Sequence, residues 1–122
     1  MILVDTSVWI DHLKTGDDNL ARLLEAGRVL MHPFVLGELA LGSLRNRQTI
    51  LELLGQLPRA EMATDQEVLS LIEAETLHGT GIGLIDAHLL ASAKLTAGSS
   101  LWTRDKRLER LAARLHGSTE LE

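Results

Sequence analysis

Near the start of the chain an apolar triplet, Ile2-Leu3-Val4, stops at an acid, Asp5, and Thr6 and Ser7 follow. Three β-forming residues cannot stand alone as a sheet. Ser and Thr favour helix N-caps, so the chain turns from strand to helix within two residues. That alternation recurs. Val29 to Met31 reads as a strand, and Pro33 suits the first turn of a helix running to about Leu44. Arg59 to Met62 reads as a third strand. Thr64 and Glu67 then form a capping box for a helix through Leu77. Ser99 to Thr103 is a further strand, followed by a helix from Arg104 to Leu115. Other helices fill the intervals: from Asp17 and Asp18 to the stop at Gly27, from Thr49 to Gln56 before Pro58, and from Leu84 to Ala97 closed by Gly98. Arg45-Asn46-Arg47 is a polar break, and the residues from Ser118 either add a last short strand or fray. The expected fold is α/β: a mostly parallel central sheet of about four to five short strands flanked by helices. At 122 residues the chain is one domain spanning 1–122, long enough to bury its own core.

Composition narrows the chemistry. With no cysteine, disulfide frameworks, zinc ribbons, iron–sulfur sites and thiol catalysis are excluded. One Phe, two Trp and no Tyr leave little for a base-stacking platform. A net charge of -5 disfavours a generic nucleic-acid-binding module. The charge is uneven, however: Arg104, Lys106, Arg107, Arg110 and Arg114 face only Asp105 and Glu109 in the same stretch. The opening apolar run has no basic region before it and ends at Asp5, so neither a leader nor a membrane span is expected, and a cytoplasmic protein is.

Four acids stand out by position. In parallel sheets, ligands bind beyond the carboxyl ends of strands. Asp5 ends the first strand, and Asp105 lies two residues past Thr103. Glu38 is the only charge in Phe34-Val35-Leu36-Gly37-Glu38-Leu39-Ala40-Leu41, a helix expected to be buried. Asp86 is the only acid in the apolar run from Ile82 to Ala91. A buried carboxylate must be paired, protonated or metal-bound. Positions four residues either side are Phe34 and Gly42 for Glu38, and Ile82 and Leu90 for Asp86, so no helical salt bridge is available. If the four converge, each pair at about 4 Å repels by roughly 4 kcal/mol at an effective dielectric near 20. A divalent cation relieves that repulsion, and all-oxygen ligands select Mg²⁺ or Mn²⁺. Each acid also has a plain structural reading. Asp5 could cap the first helix, Asp86 and Asp105 could answer helix dipoles, and Glu38 could be a surface position.

Other features carry less. Gly79, Gly81 and Gly83 form no dinucleotide fingerprint and read as a hinge or as room for a substrate. The five histidines show no paired metal spacing, and His88 reads as a partly buried polar residue. The Arg-rich last helix is either a solvated face or a phosphate-contacting wall beside Asp105.

Together these stretches resemble the PIN-domain family, and within it the VapC toxins of bacterial toxin–antitoxin pairs. Ile2-Leu3-Val4-Asp5-Thr6-Ser7-Val8-Trp9-Ile10 is similar to the first family motif, and Val35-Leu36-Gly37-Glu38-Leu39 to the second. Leu84-Ile85-Asp86-Ala87-His88-Leu89-Leu90-Ala91 is similar to the third, and Leu101-Trp102-Thr103-Arg104-Asp105 to the TxD element. Leu108 departs from the pattern, where an aromatic is common; the change concerns packing. The resemblance implies a Mg²⁺- or Mn²⁺-dependent endoribonuclease with Asp5 and Asp86 as main metal ligands. Glu38 and Asp105 would complete the pocket, and Ser7 and Thr103 would orient carboxylates or water. Independently of the resemblance, the basic stretch beside Asp105 makes Arg104 and Arg107 the expected RNA contacts. The resemblance further implies a homodimer and a small VapB-type antitoxin that blocks the site.

Two rivals compete with that reading. A receiver-type signalling domain needs an acidic pair after the first strand and a Lys after a late one; here Asp5 is single and Thr103-Arg104-Asp105 follows the late strand. The other is a PIN-like module that binds RNA or a partner without cutting. A DNA flap nuclease relative would carry more acids on a longer chain.

Overall fold

The computed structural model describes residues 1–116. The chain runs β1 (Ile2–Val4), α1 (Thr6–Thr15), α2 (Asp18–Glu25), β2 (Val29–Leu30), α3 (Pro33–Leu41) and α4 (Arg47–Gly55). It continues through α5 (Asp65–Ala74), α6 (Leu84–Leu95), β3 (Ser100–Trp102) and α7 (Lys106–His116). Among the described residues the strands form one parallel sheet in the order β2-β1-β3. Leu3 stands opposite Leu30 on one side and Leu101 on the other. The α/β expectation holds with fewer strands.

The strand expected at residues 59–62 contracts to a single parallel bridge between Met31 and Arg59. Pro58 lends its carbonyl to Met31, and the Ala60 amide returns a bond to the Met31 carbonyl. Pairing stops there, because His32 turns β2 into the cap of α3. The expected strand after Ser118 lies outside the described residues.

Helix ends moved for local reasons. The third helix stops at Leu41, short of Leu44, because Gly42 takes an extended backbone. The fifth stops at Ala74, and Thr76 adopts a positive φ of 53°. Its capping box is intact: the Thr64 Oγ1 accepts from the Glu67 amide, and Glu67 Oε1 accepts from the Thr64 amide.

The central strand β1 is buried, and Leu3, Val4, Val8 and Trp9 form the middle of the core. Continuous burial on both faces explains why the strands read as solid apolar runs, without alternation. Every residue of α6 from Ala87 to Ala93 is buried, and this helix packs on α5, β3 and α7. The last helix contributes Leu108, Leu111 and Ala112 and leaves its Arg side chains outside. The functional consequence is positional. Asp5 and Thr103 lie at the carboxyl ends of neighbouring strands, and α6 delivers Asp86 from its own first turn.

Candidate active site

Asp5 is the best defined of the four acids. It occupies the N-cap position of α1, yet its side chain makes no capping bond. The carboxylate turns instead to the neighbouring strand end. Ser7 Oγ and Thr103 Oγ1 each donate to Asp5 Oδ2 at 2.8 Å. The direction of these bonds is fixed by a further layer. The Arg104 amide donates to Ser7 Oγ and the Asp105 amide to Thr103 Oγ1, both at 3.1 Å. Each hydroxyl therefore spends an acceptor on a backbone N–H and points its own proton at Asp5. Asp5 is 7% exposed, so two oriented donors offset its desolvation.

Asp86 is half-buried at the third position of α6, where its Oδ2 accepts from the Gly83 amide at 3.2 Å. Burial pushes its carboxyl up, only partly offset by that amide bond, and the charges of Asp5, Asp105 and Glu38 push it further. The other three acids are thus felt together at Asp86.

Glu38 differs from expectation. Its helix is not buried throughout: only Val35 and Leu39 are, and Glu38 itself is exposed. Hydrophobic content misled because Leu41 lies on the surface, 91% exposed. Glu38 Oε1 nonetheless accepts from Thr6 Oγ1 at 2.8 Å, which ties α3 to the start of α1. Asp105 is exposed and caps α7, with Oδ1 accepting from the Arg107 and Leu108 amides at 2.9 and 3.2 Å. The helix-terminus reading of Asp105 is therefore real, and it coexists with the charge Asp105 exerts on Asp86.

The four share one region without touching. Among the described residues no three His, Asp or Glu side chains are spaced tightly enough to hold one ion between them. Repulsion between like charges favours such spacing. The donor set still fits a hard divalent cation. On each acid the hydrogen bonds fall on a single oxygen, leaving Asp5 Oδ1, Glu38 Oε2, Asp86 Oδ1 and Asp105 Oδ2 open among the described residues. None of the four is ion-paired to a described Lys or Arg. Open carboxylate oxygens, with no thiol or imidazole among them, suit Mg²⁺ or Mn²⁺.

The two arginines expected at RNA part company. Arg104 pairs with Asp11 through NH1 and with Asp17 through NH2, the latter at 2.6 Å. These acids lie on α1 and at the cap of α2, and Asp17 also caps that helix through the Leu20 amide. Both partners hold the Arg104 guanidinium above its usual value against the opposing effect of burial. Arg107 is exposed, and its NH1 lies against the Gly81 carbonyl at 3.4 Å.

Sequence reasoning missed three features. Thr6 was visible only as a cap type, yet it holds Glu38. Asp11 and Asp17 gave no hint of Arg104, 93 and 87 residues away. The third is a ring cluster. His32 is fully buried, caps α3 through Nδ1, and meets Phe34, which in turn meets His88 edge-on. His88 is buried, with Asp65 Oδ1 3.7 Å from its Nε2.

Comparison with known proteins agrees with this arrangement. The family model described as PIN domain matches residues 2–114. Two relatives named Ribonuclease VapC32, from Mycobacterium tuberculosis strains CDC 1551 / Oshkosh and ATCC 25618 / H37Rv, are each 49% identical to this chain. Each match runs over 113 residues, 93% of this chain and 91% of the relative. With a family model spanning nearly all of the sequence and near-half identity along it, the chain belongs to the PIN domain family.

Proposed function

We propose that this chain is a metal-dependent endoribonuclease and the toxin of a toxin–antitoxin pair, as the name of its VapC32 relatives suggests. The observation that carries the reading is the set of four carboxylates, each with one oxygen open, whose charges converge on Asp86. Asp5 and Asp86 would be the main metal ligands, with Glu38 and Asp105 completing the set. Mg²⁺ or Mn²⁺ bound there would polarise a phosphoryl oxygen and lower the pKa of the attacking water. The chain's own residues do the rest. Ser7 and Thr103 hold Asp5 in one rotamer with Oδ1 free. The Gly83 amide holds Asp86 by Oδ2. Burial and the charges of Asp5, Asp105 and Glu38 disfavour a bare carboxylate at Asp86, and a bound cation would relieve that cost.

Arg107 is the better-placed phosphate contact. Arg104 would have to give up Asp11 and Asp17 to reach a phosphate, so its contribution is to fix the loop that presents Thr103 and Asp105. A VapB-type antitoxin as inhibitor, a homodimer and a cytoplasmic location belong to the same proposal. No helix among the described residues is long and apolar enough to cross a membrane.

The test is RNA cleavage by the purified chain, freed of any partner, in Mg²⁺, Mn²⁺ and EDTA, beside Asp5→Asn. Discrete fragments that require metal and Asp5 are expected. Cleavage that persists in EDTA or in Asp5→Asn overturns the mechanism. An inert chain that binds no Mn²⁺ favours a non-cleaving module.

A further inference from the structure

Beside Glu38 the surface opens into a cleft of about 540 Å³. Its aliphatic lining is Ile10 and Leu13 from α1, Leu39 from α3, Leu44 after α3, and Ile50 from α4. Lys14 and Arg45 stand in the same lining. Both are exposed, and neither has an ion pair with a described residue. They contrast with Arg47, which is spent on the Ala40 carbonyl, and with Arg114, spent on the Glu75 carbonyl. The cleft thus brings together a carboxylate shared with the candidate metal site, several aliphatic side chains, and two cations with no ion pair to a described residue.

We infer that this cleft holds one unpaired nucleotide of the RNA, adjacent to the phosphate that is cut. The inference rests on the nuclease reading and specifies its substrate. The base lies on the aliphatic walls, and Lys14 and Arg45 take the flanking phosphates. Charge favours this occupant. The chain is net negative and the acid site repels a polyanion, so the backbone needs cations beside that site to approach it. Size favours it too, since pockets for small ligands run from about 300 to 1,000 Å³. A base can enter only if splayed out of a helix, which selects single strands or loops. Apolar side chains are an established means of sandwiching an extruded base. With no aromatic ring in the lining, the preference at this position comes from fit against Leu13, Leu44 and Ile50 and from the polar group of Ser43.

The experiment uses the full chain and a short RNA with one cut site, first located in a digest of cellular RNA. The variant pair is Lys14→Ala with Arg45→Ala, both at exposed positions that leave the core and the four acids untouched. A second arm replaces the nucleotides on either side of the cut, one at a time, by abasic residues. We expect KM to rise about tenfold in the double variant with kcat within about twofold, the pattern of lost uniform binding. The slope of log affinity against log salt should fall by roughly 1.4, about 0.7 for each lost single-strand phosphate contact. Mn²⁺ binding should not change. One abasic position, and only one, should weaken cleavage by the natural chain about tenfold. A cleaving natural chain whose double variant keeps its KM and salt slope overturns the inference and leaves the cleft to a peptide partner. A changed KM with no abasic effect overturns the base-binding part. A natural chain that neither cleaves nor binds Mn²⁺ overturns the nuclease reading itself.

Discussion

At the scale of single residues, the site is governed by which groups share protons and charge. Asp86 is held partly out of water while three other carboxylates push on it, so its folded pKa lies above the unfolded value. The sign follows from linkage. The folded state binds more protons in that window, so this group opposes folding as pH rises through it. Asp86→Asn is therefore expected to raise the unfolding midpoint in EDTA by a few degrees, on the order of 1 kcal/mol, while abolishing cleavage. Thermal melts with chelator present read the effect, and a lower midpoint would count against the shared charge.

His32 behaves in the opposite sense. Burial first, then the nearby charges of His88 and Arg59, hold its imidazole down to about 4. Its Nδ1 is committed to the Phe34 amide, so the neutral ring is the one that fits. Stability from this group is complete above the unfolded pKa near 6.5 and is lost as pH falls toward 4, because the unfolded chain takes up the proton first. The loss should reach on the order of 2–3 kcal/mol. His32→Asn keeps a capping side chain but cannot titrate. Urea midpoints measured from pH 7.5 to 5 should flatten in that variant, and parallel slopes would remove His32 from the account.

At the scale of elements, the loop before α6 is tied to the start of α7. Gly81 has φ of +88°, and a β-carbon there would sit 2.7 Å from Arg107 NH1. Only glycine meets both demands without strain. Gly81→Ala should cost about 1–2 kcal/mol and displace Arg107. Its effect on the unfolding midpoint should shrink by about half in an Arg107→Ala background, since the backbone strain remains while the collision is gone. Fully additive effects would mean that the guanidinium yields freely. The element scale also explains how helices were legible. Thr64 with Glu67 and Pro33 at a first turn act within a turn of the chain, whereas the ends expected at Leu44 and at Gly98 came earlier, at Leu41 and Leu95. The strand expected at residues 59–62 failed for the converse reason: Arg59 to Met62 carries no strong strand former, and only Arg59 finds a bridge partner.

At the scale of the whole molecule, Leu41, Leu53, Leu69 and Leu84 are large apolar side chains more than half exposed. The proposed homodimer would cover part of that surface. Sedimentation at micromolar concentration should give twice the 13.4 kDa chain mass, and a stable monomer would overturn the dimer. The same surface shows where hydrophobicity failed as a guide. Glu38 was singled out because its helix looked apolar, yet the apolar residues around it divide between core and surface, and it is Thr6, 32 residues away, that holds it.

The sequence by itself determined the strand–helix alternation, the caps that punctuate it and the four acids in their order. All of these are set by interactions spanning a few residues, or by chemistry that each residue carries anywhere. Only the tertiary structure decided that the Asp5 carboxylate leaves its own helix for Thr103, 98 residues on. It also decided that Arg104 is held by Asp11 and Asp17, and that a cleft with two uncommitted cations opens beside Glu38. Such contacts follow from how a parallel sheet brings distant strand ends side by side, and no local pattern in the chain encodes that meeting.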